Sequence, residues 1–190
     1  MMPGVLLIIS GPSGVGKTTI CKRLAGRLDA FLSVSATTRP RRDNEIDGQD
    51  YHFLSREEFD RRLKDGEFLE HAEVYGGNCY GTLAAPVLQA LESGRVVILE
   101  IEIEGTLQVL RRFPEALGVY VLPPTAGDLR DRLVGRKKDS AEAIRERLSK
   151  ADGEIRYAQE SGAYPCFVIN ADIDETVDAI ARRVQEKKGE

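Results

Sequence analysis

A glycine-rich segment near the amino terminus constrains the fold of this chain more than any other feature. Gly11 to Thr18 reads G-x-x-x-x-G-K-T, between an apolar run, Val5 to Ile9, and apolar residues at helical spacing, Ile20 and Leu24. Glycines let the backbone N–H groups of such a loop turn towards phosphate oxygens, and the positive end of the following helix strengthens the attraction. Strand, loop and helix in this order predict a nucleoside triphosphate site.

The residues of this phosphate loop have different expected roles. Lys17 is expected to reach the β- and γ-phosphates, and the Thr18 hydroxyl is expected to ligate Mg²⁺. The other members are expected to surround the phosphates: Gly11, Pro12, Ser13, Gly14, Val15, Gly16 and Thr19. The alternative is a glycine-rich turn without a ligand, which the flanking strand and helix disfavour.

Composition limits the classes of protein to which the chain can belong. Its 190 residues suffice for a single domain spanning 1–190, and 42% hydrophobic with 31% charged residues is ordinary for a soluble globular protein. A net charge of −4 argues against binding to nucleic acid or an anionic membrane, because those partners select for basic surfaces. We therefore expect neither partner.

The cysteines and the amino terminus indicate a location. Cys21, Cys79 and Cys166 are far apart without a C-x-x-C pair, so we expect buried thiols in a reducing compartment and no zinc site. No signal peptide pattern or apolar run of membrane-spanning length is present in the sequence. We expect a cytoplasmic protein, and the sequence leaves its oligomeric state, monomer or homodimer, open.

Apolar runs and helical patterns alternate along most of the chain. After the first strand, further strands are predicted at Phe31–Ser35, Val96–Leu99, Val119–Leu122 and Phe167–Ile169. Helices separate them, one starting at about Thr106. The alternation predicts an α/β fold, with a parallel sheet that carries helices on both faces, of the P-loop NTPase type.

The stretch from about Thr37 to Pro86 interrupts this alternation. It contains a basic loop, a capping box formed by Ser55 and Glu58, and a further strand from Phe68 to Val74. We interpret the stretch as an inserted lobe that binds a second substrate.

The phosphate loop alone does not distinguish a hydrolase, a switch and a kinase. A GTPase would need an N-K-x-D element, which the sequence lacks, and a motor-type ATPase is usually longer. The remaining class is a small kinase with a second site for a phosphorylated or hydroxylated acceptor.

Motifs in the inserted stretch, in their order and spacing, resemble guanylate kinase. They are Ser35 to Arg42 (SATTRPRR), Glu45, Gly48 to Phe53 (GQDYHF), Glu67 to Glu70 (EFLE) and Tyr80 to Thr82 (YGT). The similarity continues through Arg132 to Arg136, Arg147-Leu148 and Val168 to Asn170, and so covers nearly the whole chain. The resemblance implies a nucleoside monophosphate kinase that transfers the γ-phosphoryl group of ATP to GMP, with dGMP also accepted.

The resemblance also implies how the chain is divided. The core is expected at about 1–36 and 87–190, and a small mixed-β GMP-binding lobe at about 37–86. A short helical lid is expected at about 132–147 within the core.

The resemblance assigns an acceptor site whose chemistry suits GMP. Guanine presents two donors, N1–H and N2–H₂, which one carboxylate can accept together, whereas adenine presents an acceptor at N1. Glu70 is expected to be the carboxylate that accepts both guanine donors. The other expected contacts are Ser35, Thr82 and Glu102 on the base side, Arg39, Arg42, Tyr51 and Tyr80 on the phosphate, and Glu45 as the residue that orients the arginines.

Transfer to a phosphate oxygen needs no strong general base, because the attacking oxygen is already anionic near neutral pH. Catalysis then consists of alignment and charge neutralisation, by Lys17 and by the arginines that the resemblance assigns, Arg42, Arg132, Arg136 and Arg147. Asn170 matches a position near the adenine of the donor. Glu100 and Glu102 are candidates to hold Mg²⁺ through water.

Two alternatives remain open at the sequence level. One concerns geometry: Glu100 to Glu104 (EIEIE) departs from the aspartate and glutamine that relatives commonly carry, which leaves the geometry there open.

The other concerns function. A kinase of the same fold could act on another nucleotide or a ribose phosphate, although Glu70 and Thr82 would then lack partners. A non-catalytic binding module would be expected to have an eroded phosphate loop, and here Gly11 to Thr18 is intact.

Overall fold

Two sheets organise the chain in the computed structural model, which describes residues 4–74, 77–135 and 141–189. The elements follow in this order: β1 (Val5–Ser10), α1 (Lys17–Leu28), β2 (Phe31–Leu32), β3 (Ala36–Thr37), β4 (His52–Phe53), α2 (Arg56–Lys64), β5 (Phe68–Val74), β6 (Asn78–Leu83), α3 (Ala84–Glu92), β7 (Val96–Glu100), α4 (Ile103–Arg112), β8 (Leu117–Leu122), α5 (Ala126–Gly135), α6 (Ala141–Glu160), β9 (Cys166–Ile169) and α7 (Ile173–Gly189).

The first sheet has five parallel strands in the order β2-β7-β1-β8-β9, with the fully buried β1 at its centre. Side chains alternate across a strand. Leu7 and Ile9 therefore pack with residues of α1 and α7 on one face, while Leu6 and Ile8 pack with residues of α3 and α4 on the other. This arrangement confirms the predicted parallel sheet with helices on both faces.

The second sheet is mixed and has the order β4-β3-β6-β5. β3 runs parallel to β4 and antiparallel to β6, and β6 runs antiparallel to β5. Helix α2 covers the sheet through Phe59, whose ring stacks on that of Phe68 with centroids 4.5 Å apart. The predicted cap is present, because Ser55 Oγ accepts a hydrogen bond from the Glu58 backbone N–H. An additional mixed-β unit was expected here, and it is confirmed.

The two boundaries that differ most from those expected are the end of β2 and the start of α4. The strand predicted at Phe31–Ser35 ends at Leu32, because the backbone leaves one sheet for the other: Ser33 N–H still donates to the Ile98 carbonyl, whereas the Ser35 carbonyl accepts from His52 N–H. The helix expected from about Thr106 begins three residues earlier, at Ile103. Both differences place side chains at the junction of the two sheets.

Helices α5 and α6 pack together where the lid was expected. Leu129 and Leu133 of α5 form a small apolar cluster with Ala151, Ile144 and Leu148 of α6. The lid was also expected to contain Arg136, which falls outside the described residues.

None of the helices in the described ranges has both the length and the apolar character needed to cross a membrane.

Candidate active site

The phosphate loop connects the buried strand β1 to α1, as its sequence predicts. Gly11, Gly14 and Gly16 have positive φ angles of 151°, 92° and 104°, which residues with a side chain rarely adopt. A Cβ atom on Gly11 would also lie 2.5 Å from the Val121 carbonyl oxygen. The glycines therefore let the loop turn tightly against β8 and lead into the amino terminus of α1.

Lys17 is the first residue of α1, and its ammonium group returns to the loop. Nζ donates to the carbonyl oxygens of Gly11, at 2.6 Å, and Pro12, at 3.2 Å. Burial lowers the pKa of Lys17, and the nearby carboxylates of Glu100 and Glu102 oppose that shift. The positive charge is thus held at the loop, where phosphate groups would be attracted.

Thr18 faces an acidic residue at the end of a neighbouring strand. Its hydroxyl donates a 2.8 Å hydrogen bond to Glu100 Oε1, which brings together a hydroxyl and a carboxylate. Within the described ranges, no group of three or more His, Cys, Asp or Glu residues is placed to hold a metal ion. Oxygen ligands in small number suit Mg²⁺, which usually keeps waters and substrate phosphates in its coordination shell.

One continuous cleft of about 820 Å³ runs from the phosphate loop to the second sheet. Lys17, Thr18 and Ser13 line one end, and Glu70 and Gly105 line the other. Expected site residues lie along it: Ser35, Arg42, Glu45, Tyr51, Tyr80, Glu100, Glu102 and Arg147. The structure therefore brings most of the predicted donor and acceptor residues around one space.

Glu70 and Thr82 form a buried pair at the far end of this cleft. They face each other across β5 and β6, with the Thr82 hydroxyl 2.6 Å from Glu70 Oε1. Burial raises the pKa of Glu70, and the hydrogen bond from Thr82 partly offsets that effect. A buried carboxylate needs further donors when it is ionised, which a base with two adjacent N–H groups can supply.

Arg39 and Glu45 are joined by two hydrogen bonds. Arg39 Nη2 lies 2.7 Å from Glu45 Oε1 and Nη1 lies 3.1 Å from Oε2, and the guanidinium lies over the rings of Tyr51 and Phe53. Hydrogen bonds from Arg39 hold the pKa of the Glu45 carboxyl below its usual range. The Arg42 backbone N–H donates to the same carboxylate. Glu45 therefore orders the basic loop.

The Arg42 side chain reaches the same cleft from that loop and is 64% exposed. Tyr51 and Tyr80 stand edge to face with ring centroids 5.9 Å apart. Arg42, Tyr51 and Tyr80 line the cleft, whereas Arg39 lies beside it, held by Glu45. Guanidinium and phenol groups of this kind can donate to a phosphate dianion.

Arg132 and Asn170, both expected near the bound ATP, contact the backbone of the phosphate loop. Arg132 donates to the carbonyl oxygens of Val15, at 3.2 Å, and Asn170, at 2.8 Å. The Asn170 amide also donates to the Val15 carbonyl, and its Oδ1 lies 3.2 Å from the Thr176 hydroxyl. Asn170 is buried, and its hydrogen bond to the Val15 carbonyl supports the loop from the protein interior.

Arg147 of α6 also contacts the phosphate loop. Its Nη1 donates a 2.9 Å hydrogen bond to Ser13 Oγ, which connects α6 to the phosphate loop. Arg136, the other expected lid arginine, lies outside the described residues.

Gly105 was missed at the sequence level. A Cβ atom there would lie 2.5 Å from Glu70 Oε2, so the absence of a side chain leaves the room that the carboxylate occupies. No sequence signal pointed to it, because the predicted helix starts at about Thr106, just after this glycine.

Comparison with known proteins identifies the family. The family model described as Guanylate kinase matches residues 4–187. A guanylate kinase of Thiobacillus denitrificans is 46% identical over 187 residues, or 96% of this chain and 88% of that protein. One from Clostridium tetani is 40% identical over 188 residues, or 99% of this chain and 88% of that protein.

A solved structure gives the same result. The crystal structure of guanylate kinase from Anaplasma phagocytophilum matches with a TM-score of 0.80 at 32% identity, covering 98% of this chain and 87% of that one. These findings confirm the resemblance carried by the motifs. The chain belongs to the guanylate kinase family.

Proposed function

We propose that this chain phosphorylates GMP, and also dGMP, with ATP as donor and Mg²⁺ as cofactor, to give GDP and ADP. One observation carries the proposal: a continuous cleft has the phosphate loop with Lys17 at one end and the buried Glu70–Thr82 pair at the other. The relatives are named guanylate kinases, which supports the same activity.

The acceptor end suits guanine. Glu70 Oε1 is already hydrogen-bonded to Thr82, and the carboxylate borders the cleft, so the remaining acceptor capacity points to a base that donates twice. Guanine does this through N1–H and N2–H₂, whereas adenine would place its N1 lone pair against the carboxylate. A buried charge left unpaired in this way costs enough to discriminate by about 10⁴-fold.

The phosphate of GMP would lie near Arg39, Arg42, Tyr51 and Tyr80. Glu45 fixes Arg39 in place before the substrate arrives, so part of the ordering has already occurred in the free protein. We propose that the arginines and phenols neutralise and orient the dianion, leaving one oxygen directed towards the donor.

The reaction is an in-line transfer. An oxygen of the GMP phosphate forms a bond to the γ-phosphorus of ATP, and the bond from that phosphorus to the β–γ bridging oxygen breaks, so the electron pair leaves with ADP. The chain contributes charge and alignment: Lys17 at the loop, Arg147 from α6 and Arg42 from the acceptor side.

Thr18 and Glu100 are the residues that would hold Mg²⁺, Thr18 directly and Glu100 through water, and Glu102 is a second candidate. The hydroxyl and carboxylate lie 2.8 Å apart, so their oxygens already converge. When bound, the ion neutralises charge on the β- and γ-phosphates. Asn170 and Arg132, which hold the Val15 carbonyl, keep the loop in shape for this binding.

The test is release of ADP from Mg-ATP with GMP, AMP, CMP, UMP and dTMP offered separately, and Lys17→Ala as the blank. We expect rapid turnover with GMP and none above the blank with the others. Turnover with AMP at a comparable rate would overturn the acceptor assignment. Turnover with none of the five would refute the proposed activity and favour another phosphorylated acceptor or a binding module.

A further inference from the structure

A chain of three buried hydroxyl groups lies beside the cleft, behind the turn between β7 and α4. Ser10 and Thr106 are fully buried, and Tyr164 is 5% exposed. The Tyr164 hydroxyl donates to Thr106 Oγ1 at 2.8 Å, and Ser10 Oγ lies 3.2 Å from the same atom. These residues come from the end of β1, the first turn of α4 and the segment before β9. The three hydroxyl groups therefore bring together three separate parts of the fold.

The protons of these hydroxyls have defined acceptors. Thr106 Oγ1 lies 3.0 Å from the Glu102 carbonyl oxygen and donates to it, while Ser10 Oγ donates to the Ile101 carbonyl at 2.5 Å. Each hydroxyl has one proton, so Thr106 must accept from Tyr164 when it donates to Glu102. Burial raises the pKa of Tyr164, which keeps its phenol protonated and able to donate. Thr106 therefore shares a hydrogen bond with Tyr164, whereas Ser10, whose proton is used on Ile101, packs against Thr106 at 3.2 Å in the same ordered arrangement.

The arrangement fixes the backbone from which the acceptor site is built. Two successive carbonyl groups, those of Ile101 and Glu102, are held by side-chain hydroxyls at the point where the backbone turns into α4. The Glu102 side chain lines the cleft, and Gly105, one position before Thr106, lies against Glu70 Oε2. A shift of this turn would therefore move Glu102 and change the space around Glu70.

We propose that Thr106, supported by Tyr164 and Ser10, is a positioning residue that holds the first turn of α4 so that Glu102 and Gly105 shape the pocket for the acceptor base. The proposal rests on the proposed function, because it assigns the base pocket to Glu70. Thr106 lies behind the pocket and acts through the Glu102 backbone.

The chemistry of the three side chains supports a role beyond filling space. A buried hydroxyl contributes to stability only when it is hydrogen-bonded, and an apolar side chain of the same shape would fill this position without that requirement. The hydroxyls add a directional restraint: together with the Thr106 backbone N–H, which donates to the Glu102 carbonyl at 2.9 Å, they hold two successive carbonyl groups. Such a restraint on the backbone is useful at the turn into α4, because that turn carries Glu102 and Gly105.

The test compares Thr106→Val, which keeps the shape and removes the hydroxyl, with Thr106→Ser, which keeps the hydroxyl. KM for GMP, KM for ATP and kcat are measured for both. We expect Thr106→Val to raise KM for GMP about tenfold, in line with one lost buried hydrogen bond, and to change KM for ATP less than about twofold. Thr106→Ser should restore KM for GMP to within about threefold of the unmodified protein.

A second pair of variants tests whether the hydroxyls act together. If they do, Tyr164→Phe should raise KM for GMP, and Tyr164→Phe with Thr106→Val should raise it little more than Thr106→Val alone. Ser93→Ala removes a comparable hydroxyl-to-carbonyl hydrogen bond, to Ala90 at the end of α3, and should leave every constant unchanged.

Two results would overturn the proposal. If Thr106→Val lowered the melting temperature while both KM values stayed constant, the hydroxyls would be purely structural. If KM for ATP and KM for GMP rose equally, the effect would lie outside the base pocket. Failure of the proposed function is distinct, since the unmodified protein would then not phosphorylate GMP.

Discussion

The Thr82 hydroxyl donates a hydrogen bond of 2.6 Å to Glu70 Oε1, where Thr82 is 1% and Glu70 is 6% exposed. The second carboxylate oxygen, Oε2, lies against Gly105 beside the cleft. Because burial raises the pKa of Glu70, its ionised form depends on donors that reach it in the pocket. Thr82 supplies one such donor, and the proposed base supplies two more.

Replacing Glu70 by glutamine should weaken the use of GMP far more than the use of ATP. The amide of the substituted side chain would have a single acceptor oxygen, and its NH₂ group would face a guanine donor. We expect KM for GMP to rise about 100-fold, the scale of one or two lost charge-assisted hydrogen bonds, with KM for ATP nearly constant.

Glu73→Gln is the matched control for this change, because Glu73 lies on the same strand with its side chain 58% exposed. Steady-state kinetics with each substrate varied in turn measures both constants. Equal losses for GMP and ATP in the Glu70 variant would contradict the role given to this carboxylate.

Gly105→Ala should separate stability from substrate use. The residue lies inside α4 without a positive φ angle, so alanine suits the backbone and should favour the helix by about 0.5–1 kcal/mol. The added Cβ would nevertheless stand 2.5 Å from Glu70 Oε2 and force the carboxylate to shift. We expect little loss of melting temperature together with a rise in KM for GMP of about tenfold or more.

The control is Gly26→Ala in α1, where a Cβ would meet nothing within 4 Å. It should gain a similar helix stabilisation with unchanged kinetics. If Gly105→Ala behaved in the same way as Gly26→Ala, the glycine would not be needed to make room for Glu70.

Local patterns in the sequence were enough to predict the parallel sheet and the phosphate loop. The apolar run of β1 and the glycines after it determine their own conformations, so neither depends on distant residues. The strand predicted at Phe31–Ser35 was wrong beyond Leu32, because its end depends on partners far along the chain, the Ile98 carbonyl and the His52 N–H. Alternation of side chains does not show which sheet a strand joins.

The parts of the candidate site that escaped prediction depend on contacts between distant residues. Gly105 of α4 makes room for the Glu70 carboxylate of β5, and Thr106 meets Tyr164, 58 positions later in the chain. Asn170 was placed beside the adenine by resemblance, and its amide and carbonyl groups contact Val15 and Thr176. That the amide supports the loop follows only from the folded arrangement.

The use of GMP should depend on pH through Glu70. Only the ionised carboxylate can accept both guanine donors, and burial raises the pKa of Glu70, so kcat/KM for GMP should fall on acidification at a higher pH than an ordinary glutamate would give. The phosphate of GMP titrates as well, but it does so equally with the Glu70→Gln variant. The difference between the two pH profiles therefore isolates Glu70, and parallel profiles would contradict the prediction.

The same raised pKa has a consequence for stability with the opposite sense. The folded protein binds the Glu70 proton more tightly than the unfolded chain does, so this contribution to stability is complete below the unfolded pKa. It is lost as the pH rises through the folded pKa. Thermal unfolding measured across that window should show the melting temperature of the unmodified protein falling, relative to that of Glu70→Gln, as the pH rises.

Glu45→Gln should impair binding of the acceptor phosphate without affecting the base. The substitution removes the charge that holds Arg39 through hydrogen bonds of 2.7 and 3.1 Å, and it weakens the contact with the Arg42 backbone. We expect KM for GMP to rise about tenfold, because the two arginines proposed to bind its phosphate lose their orientation. Asp60→Asn, which breaks an exposed pair with Arg56 in the same lobe, should have no such effect.

Guanosine distinguishes the two halves of the acceptor site, since it has the base and lacks the phosphate. Its inhibition constant against GMP should be unchanged by Glu45→Gln and should rise with Glu70→Gln. If guanosine lost as much affinity as GMP in the Glu45 variant, the carboxylate would be supporting the whole lobe. Unchanged guanosine binding with weaker GMP binding would instead assign Glu45 to the phosphate, through the guanidinium that it holds.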